Sequence, residues 1–122
     1  MKRDLLIIPV LISSISIFAL PSLSAENRCG WLHNPTPANY WLTDRDGTWI
    51  ISAQGGYHAR GIDNMPSYDE RQYVRTNRSY GYGCACLLVL TDRNQRRITS
   101  IQSGETLPLK TCRQDPSLPK NP

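Results

Sequence analysis

Four cysteines constrain the fold of this 122-residue chain more than any other feature of its sequence. In a small exported domain, an even number of cysteines is typical of a disulfide framework, whereas in a cytosolic protein the same residues would indicate a metal site or catalysis. The compartment in which the chain works therefore decides how the cysteines are interpreted. They are Cys29, Cys84, Cys86 and Cys112.

The N-terminus has the three parts of a secretory signal peptide. Positive charge lies in residues 1–4, residues 5–20 are largely apolar, and small residues lead up to Ala25. The apolar stretch is too short and too interrupted for a membrane span of about 20 residues, so an uncleaved anchor is the weaker alternative. We predict a signal peptide over residues 1–25, cut after Ala25 or after Ser24, and a protein that is periplasmic or extracellular.

After cleavage the chain has room for one domain. A chain of this size buries only about two thirds of its surface on folding, so its core is marginal without additional cross-links. We predict a single disulfide-stabilised β domain over residues 26–114 and an irregular, proline-rich tail over residues 115–122. No second apolar stretch is long enough to cross a membrane, so no membrane span is expected after signal cleavage.

The spacing of Cys84 and Cys86 limits how the cysteines pair. Side chains two apart on a strand point the same way, with their Cα atoms about 6.5–7 Å apart, near or beyond the disulfide limit. We therefore predict that one of them bonds to Cys29 and the other to Cys112, in either combination. A Cys-x-Cys pair with two remote cysteines is not a common zinc pattern, so we expect no metal and no cofactor.

The distribution of strand-forming residues predicts a mainly β fold. Segments 39–43 and 48–53 flank a turn at residues 44–47, and this pattern predicts a hairpin. The longest strand is expected over residues 80–91, where both faces are apolar, as in a central strand. Residues 96–102 are more polar and are expected to form an edge strand. The predicted fold is a small antiparallel sheet or partly open barrel built of hairpins and stapled by two disulfides.

One face of the predicted central strand carries almost no side chains, because Gly81, Gly83 and Ala85 follow one another there. Such a row allows a large ring to lie flat against the backbone. We predict that a tryptophan supplies this ring, the candidates being Trp31, Trp41 and Trp49.

The segment before the central strand is less regular. Residues 57–66 are predicted to form a loop, because glycine and proline interrupt them. Ser67 and Glu70 have the spacing of a helix capping box, whereas residues 72–76 favour a strand. We predict the strand.

Six short motifs follow one another in the mature chain, namely Cys29–Trp31, Asn34–Pro37, Trp41–Gly47, Trp49–Ile51, Gly81–Cys86 and Leu107–Leu109. In this order they resemble a family of small exported bacterial proteins known as domain of unknown function 4087. The resemblance covers essentially the whole mature chain. It implies a bacterial envelope location and a cysteine framework, and it supplies no activity, ligand or catalytic residue.

The charge of the mature chain is mildly positive. Once Lys2, Arg3 and Asp4 are set aside, twelve Lys and Arg residues face nine Asp and Glu residues. An exported chain does not meet cytoplasmic nucleic acid, so nucleic acid is not an expected partner. An envelope protein or an anionic envelope glycan is the partner that this charge favours, and the oligomeric state stays open.

Tyrosines and arginines alternate in the middle of the chain, and both residue types are enriched at binding hot spots. The loop that contains the first of them, residues 54–66, is long for so small a domain, and long loops often carry function. We predict a non-enzymatic binding or interaction module without catalytic residues. Its predicted binding residues are Tyr57, His58, Arg60, Asp63, Tyr68 and Arg71.

Two alternatives remain open. A small cell-envelope hydrolase would use Asp63, Asp69 or Glu70, with His58 as a further candidate, and it requires these groups to converge in a cleft. A structural envelope component without a discrete site is the other alternative. The two aspartates of the hairpin turn are interpreted as turn-forming residues.

Overall fold

The computed structural model describes Pro9 and residues 24–122, so most of the predicted signal peptide lies outside the described residues. Six strands form one sheet in the order β1-β2-β3-β6-β5-β4. The strands are β1 Glu26–Thr36, β2 Asn39–Asp44, β3 Gly47–Ser52, β4 Tyr73–Asn77, β5 Tyr80–Asp92 and β6 Arg97–Leu107, and one short helix follows, α1 Leu109–Arg113. The mainly β fold is confirmed.

The sheet closes into a barrel because β1 also pairs with β5. On the opposite side, β3 and β6 run parallel and pair at Ile50 and Arg97. Next to that pair, the segment that follows β3 bridges the two strands, since Ser52 pairs with His58 and Arg60 pairs with Ser100. Strands β1, β2 and β3 form a meander, and a crossing segment leads from it to the hairpin of β5 and β6. The second strand of this hairpin, β6, runs parallel to β3. This is the strand order of an OB-fold barrel.

Apolar side chains fill the barrel interior, with Leu32, Leu42, Ile51 and Leu87 among them. A second, smaller cluster lies on the outer face of β1 and β5, where α1 packs over Trp31. These two clusters explain why both faces of β5 are apolar. The prediction of a central strand is confirmed, because β5 pairs with β1 on one side and with β6 and β4 on the other.

The ring over the glycine row is not a tryptophan, and that prediction was wrong. A Cβ atom at Gly83 would overlap the ring of Tyr68, which reaches the barrel from the segment before β4. Trp31 lies outside the barrel, and Trp49 is buried at the opposite end beside Arg28. A ring does contact the row at Gly83, but a residue distant from the predicted candidates supplies it.

Other strand predictions fared differently. The hairpin is confirmed as β2 and β3, and β4 confirms a strand rather than a helix over residues 72–76. The 3-10 turn Glu70–Gln72 directly precedes β4, and Asp69 rather than Ser67 caps it. The edge position predicted for residues 96–102 was wrong, because β6 lies between β3 and β5.

Both disulfides are present, as the spacing of the cysteines predicted. Cys29 bonds to Cys86, its register partner in the β1–β5 pair, and Cys84 bonds to Cys112 of α1. The first bond therefore joins two neighbouring strands, and the second ties the C-terminal helix to the barrel. No helix among the described residues is long and apolar enough to cross a membrane.

Candidate functional site

An apolar cavity of about 370 Å³ lies where the turn between β1 and β2 approaches the segment that follows β3. Two of the predicted binding residues, Tyr57 and His58, line it together. Its other walls include Ala38, Tyr40, Ser52, Ala53 and Ile62. A cavity of this size with few polar groups is suited to hold one apolar side chain or a small ring of a ligand.

Tyr57 is fixed in this cavity from two sides. Its hydroxyl donates to the carbonyl oxygen of Ile98 at 2.7 Å, and the guanidinium of Arg97 lies 4.5 Å from the centre of its ring. Burial raises the pKa of Tyr57, with the charge of Arg97 acting in the opposite direction and that of Asp92 adding to the rise. The tyrosine is therefore a neutral donor near neutral pH.

His58 and Arg60 flank Ala59, which is buried in the barrel core. Because side chains alternate along an extended segment, His58 and Arg60 are exposed on the opposite side. The backbone of Arg60 is held by β6, since its N–H donates to the carbonyl of Thr99 and its own carbonyl accepts from Ile101. Three of the predicted binding residues, Tyr57, His58 and Arg60, thus lie within four positions of one bridging segment.

The structure places the other three predicted residues in different surroundings. Asp63 is exposed in the 3-10 turn Ile62–Asn64. Tyr68 is half-buried at the barrel opening, where burial raises the pKa of its phenol. Arg71 is exposed and pairs with Asp69 at 3.2 Å. None of the three lines the cavity, and their role in binding stays a prediction.

Two residues of this surface were not among the sequence predictions. Tyr40 lies on β2 and faces the cavity, and Arg97 begins β6 and covers Tyr57. Neither has a local signal that marks it as a site residue. Their position depends on the parallel pairing of β3 with β6, which no local pattern in the sequence indicates.

The carboxylates proposed for a hydrolase do not surround His58. Asp63, Asp69 and Glu70 all lie outside the lining of its cavity. Side-chain and backbone hydrogen bonds from Arg71 lower the pKa of Asp69, the opposite of what a general acid requires. Glu70 is exposed and pairs with Arg75 at 3.4 Å. Among residues 24–122, no group of three or more His, Cys, Asp or Glu side chains is placed to hold a metal ion.

A charged cluster closes the opposite end of the barrel. Arg28 is buried, and it donates to Asp44 at 2.8 Å and to Asp46 at 3.0 Å, while Glu26 forms a third ion pair with it. Burial acts against the charge of Arg28, but these hydrogen bonds outweigh it and raise its pKa. Asp44 also accepts from the indole N–H of Trp49 at 3.1 Å.

The cluster is complete without a ligand. Arg28 and Arg96 both lie over the ring of Trp49, at 4.1 and 4.4 Å from its centre. Asp44 additionally accepts from the backbone N–H of Asp46, so its predicted turn-forming role is confirmed. Within the described part of the chain, no buried side-chain nitrogen or oxygen lacks a hydrogen-bond partner. A cavity of about 480 Å³ adjoins the cluster, but its three arginines are already paired with carboxylates of the same lining, and we interpret this end as structural.

These features define a class of protein. It is a small β barrel with OB-fold strand order, cross-linked by two disulfides, with an apolar cavity beside the parallel pair of β3 and β6. The family model described as "Protein of unknown function (DUF4087)" matches residues 23–119, and the chain belongs to that family. Neither the curated proteins nor the solved structures include a match to the chain.

Proposed function

We propose that the chain is exported, that residues 1–25 are removed as a signal peptide, and that the domain is a non-enzymatic binding module of the periplasm or cell exterior. Two disulfides support an oxidising compartment, because such bonds are rare in reducing ones. The observation that carries the binding role is the cavity in which Tyr57 and His58 meet.

The chemistry around this cavity favours a ligand with an apolar part and an acidic group. The cavity itself accepts the apolar part. Arg60 is exposed close to its rim, and Arg97 lies over Tyr57 on the neighbouring strand. Arginine binds carboxylates through paired hydrogen bonds, which are among the stronger hydrogen bonds in proteins. The partner is therefore an anionic envelope glycan or an envelope protein with an acidic face.

Binding is favoured over hydrolysis because the candidate acids are not arranged for catalysis. Asp69 and Glu70 are held by neighbouring arginines at the surface. The described residues that line the cavity include one histidine and no carboxylate to act with it. A purely structural component would have no use for an apolar cavity that opens to solvent beside exposed cationic side chains.

Affinity capture tests this proposal. The oxidised mature domain carries a photo-crosslinking residue in place of Ala53, an exposed residue of the cavity wall, and is exposed to envelope extract and to purified cell-wall polymer. We expect either one protein at fixed stoichiometry or salt-sensitive retention on the polymer, and the two results distinguish the partner classes.

Variants decide whether the proposed surface is responsible. His58→Ala and Arg60→Ala should each weaken capture several-fold. Arg113→Ala is the matched control, because Arg113 is also an exposed arginine but lies on α1, and it should capture as the unmodified domain does. Absence of a partner in both arms, or equal loss in the control, would refute the proposed surface.

A further inference from the structure

Three aromatic side chains form a continuous row on the outer face of the barrel. His33 on β1 is the register partner of Trp41 on β2 and of Tyr82 on β5. The ring centres of His33 and Trp41 are 5.5 Å apart, and those of His33 and Tyr82 are 5.9 Å apart, both pairs edge-to-face. All three residues are partly exposed, whereas Leu32 and Leu42, next to them in sequence, are buried in the barrel. We call this set the outer aromatic row.

The chain covers the next aromatic residue with its own tail. Trp31 lies 5.3 Å from Tyr82, ring centre to ring centre, and is fully buried. Its indole N–H donates to the carbonyl oxygen of Pro119 at 2.7 Å, and Leu118 packs against the same cluster. The tail thus supplies an apolar side chain and a carbonyl acceptor to the end of this aromatic surface.

Among the described residues, the polar side-chain atoms of the outer aromatic row have no comparable partner. Trp31 and Trp49 both donate their indole N–H groups. The side chains of Trp41, Tyr82 and His33 make ring contacts but no hydrogen bond with any residue in the described part of the chain. Tyrosine and tryptophan side chains with an apolar body and an unused donor are typical of interfaces.

We propose that the outer aromatic row binds an extended peptide segment of a partner protein, one with proline or other apolar side chains. Backbone carbonyls of that segment accept from Trp41 and Tyr82, continuing the contact that Pro119 makes with Trp31. Aromatic-lined surfaces bind proline-rich segments in this way because such segments are already extended and lose little entropy on binding.

The dimensions agree with a short segment. The two ring spacings limit the row to at most about 11 Å from Trp41 to Tyr82, the length of about three to four residues of polyproline II helix at 3.1 Å per residue. The surface shares no residue with the cavity at Tyr57 and His58. The inference therefore goes beyond the proposed function and stands or fails independently of it.

The test is an NMR titration of the oxidised domain with two probes. One is a synthetic peptide with the sequence of residues 114–122, which contains the Leu-Pro pair that the chain itself places on Trp31. The other is a hexamer of N-acetylglucosamine. The indole N–H signal of Trp41 reports on the outer aromatic row. Those of Trp31 and Trp49 report separately on the contact with the tail and on the charged cluster.

We expect the peptide, at up to about 1 mM, to shift the Trp41 signal and the backbone signals of His33 and Tyr82. Trp41→Phe retains an aromatic ring, although a smaller one, and removes the donor, so it should weaken binding at least about five-fold, the effect of one hydrogen bond. Trp41→Ala should weaken it more than ten-fold. Gln102→Ala, an exposed position on β6 that belongs neither to the row nor to the cavity, should leave it unchanged.

Three results would overturn the inference. The first is no shift of Trp41 at that concentration. The second is a shift of Trp31 alone, which would mean that the peptide only exchanges with the tail. The third is a Trp41 shift with the sugar and none with the peptide, which would assign the row to carbohydrate.

Discussion

Replacing Asp44 with alanine removes the acceptor that holds the charged end of the barrel together. Arg28 and Asp44 are both buried, with 8% and 4% of their side chains exposed, and their atoms are 2.8 Å apart. Loss of one partner of a buried ion pair costs about 3–5 kcal/mol. Because Arg28 retains Glu26 and Asp46, we expect the lower end, about 3 kcal/mol.

Urea unfolding of the oxidised domain measures this cost. With an m value of about 1.5 kcal/mol/M, the midpoint should fall by about 2 M while the slope stays the same. Asp44→Asn retains an oxygen acceptor for Trp49 and removes the charge, so its cost should be smaller than that of Asp44→Ala.

Asp63→Ala is the matched control, because Asp63 is exposed and makes no ion pair with any described residue. It should change the free energy of unfolding by less than about 0.5 kcal/mol. A cost for Asp44→Ala below about 1 kcal/mol, or one equal to the control, would show that the cluster does not stabilise the barrel.

Three further predictions concern the fold. Replacing Cys84 and Cys112 with serine opens a loop with a sequence separation of 28 and should cost about 3.5 kcal/mol, measured by urea unfolding against the oxidised parent. Gly83→Ala should cost about 1–3 kcal/mol because its methyl group overlaps the tyrosine ring, whereas Gly56→Ala, which meets only one atom at 3.9 Å, should be nearly neutral; equal thermal shifts would contradict this. Burial lowers the pKa of His33, so the folded state binds a proton less readily than the unfolded state does. The free energy of unfolding should therefore fall as the pH drops below about 6.5. A urea midpoint that is equal at pH 5 and pH 7, or a drop in the midpoint that persists in His33→Gln, would contradict this prediction.

Local patterns predicted the elements that have local causes. The hairpin of β2 and β3 follows from its turn, and the long strand β5 follows from its two apolar faces. The disulfide partners followed from the spacing of Cys84 and Cys86, although only the fold decides which of them meets Cys29.

The elements that were missed depend on tertiary structure. No strand was predicted for β1, because it buries Arg28 and Gly30 on the same face as Leu32 and so shows no apolar alternation. Arg28 is tolerated there only because carboxylates surround it, Glu26 from the same strand and Asp44 and Asp46 from the hairpin of β2 and β3. The edge prediction for β6 failed because its polar residues lie beside a bridging segment rather than open solvent.

In the candidate site, too, some residues have a local sequence signal and others depend on the tertiary structure. Composition and loop length indicated Tyr57, His58 and Arg60, and these three residues lie within four positions of the bridging segment. Tyr40 and Arg97 join them only because the barrel brings β2 and β6 to the same place. A search for short patterns has no means of finding such pairs.

The central claim is that this chain is an exported barrel closed by two disulfides, and intact-mass spectrometry of the full chain expressed in a bacterial host tests it most directly. The periplasmic or secreted fraction is treated with a thiol-alkylating reagent before and after reduction. We predict a chain that begins at Glu26, or at Ala25 after the alternative cut, and that takes up four alkyl groups only after reduction. A chain that retains Met1, or one alkylated at its cysteines before reduction, would contradict the claim.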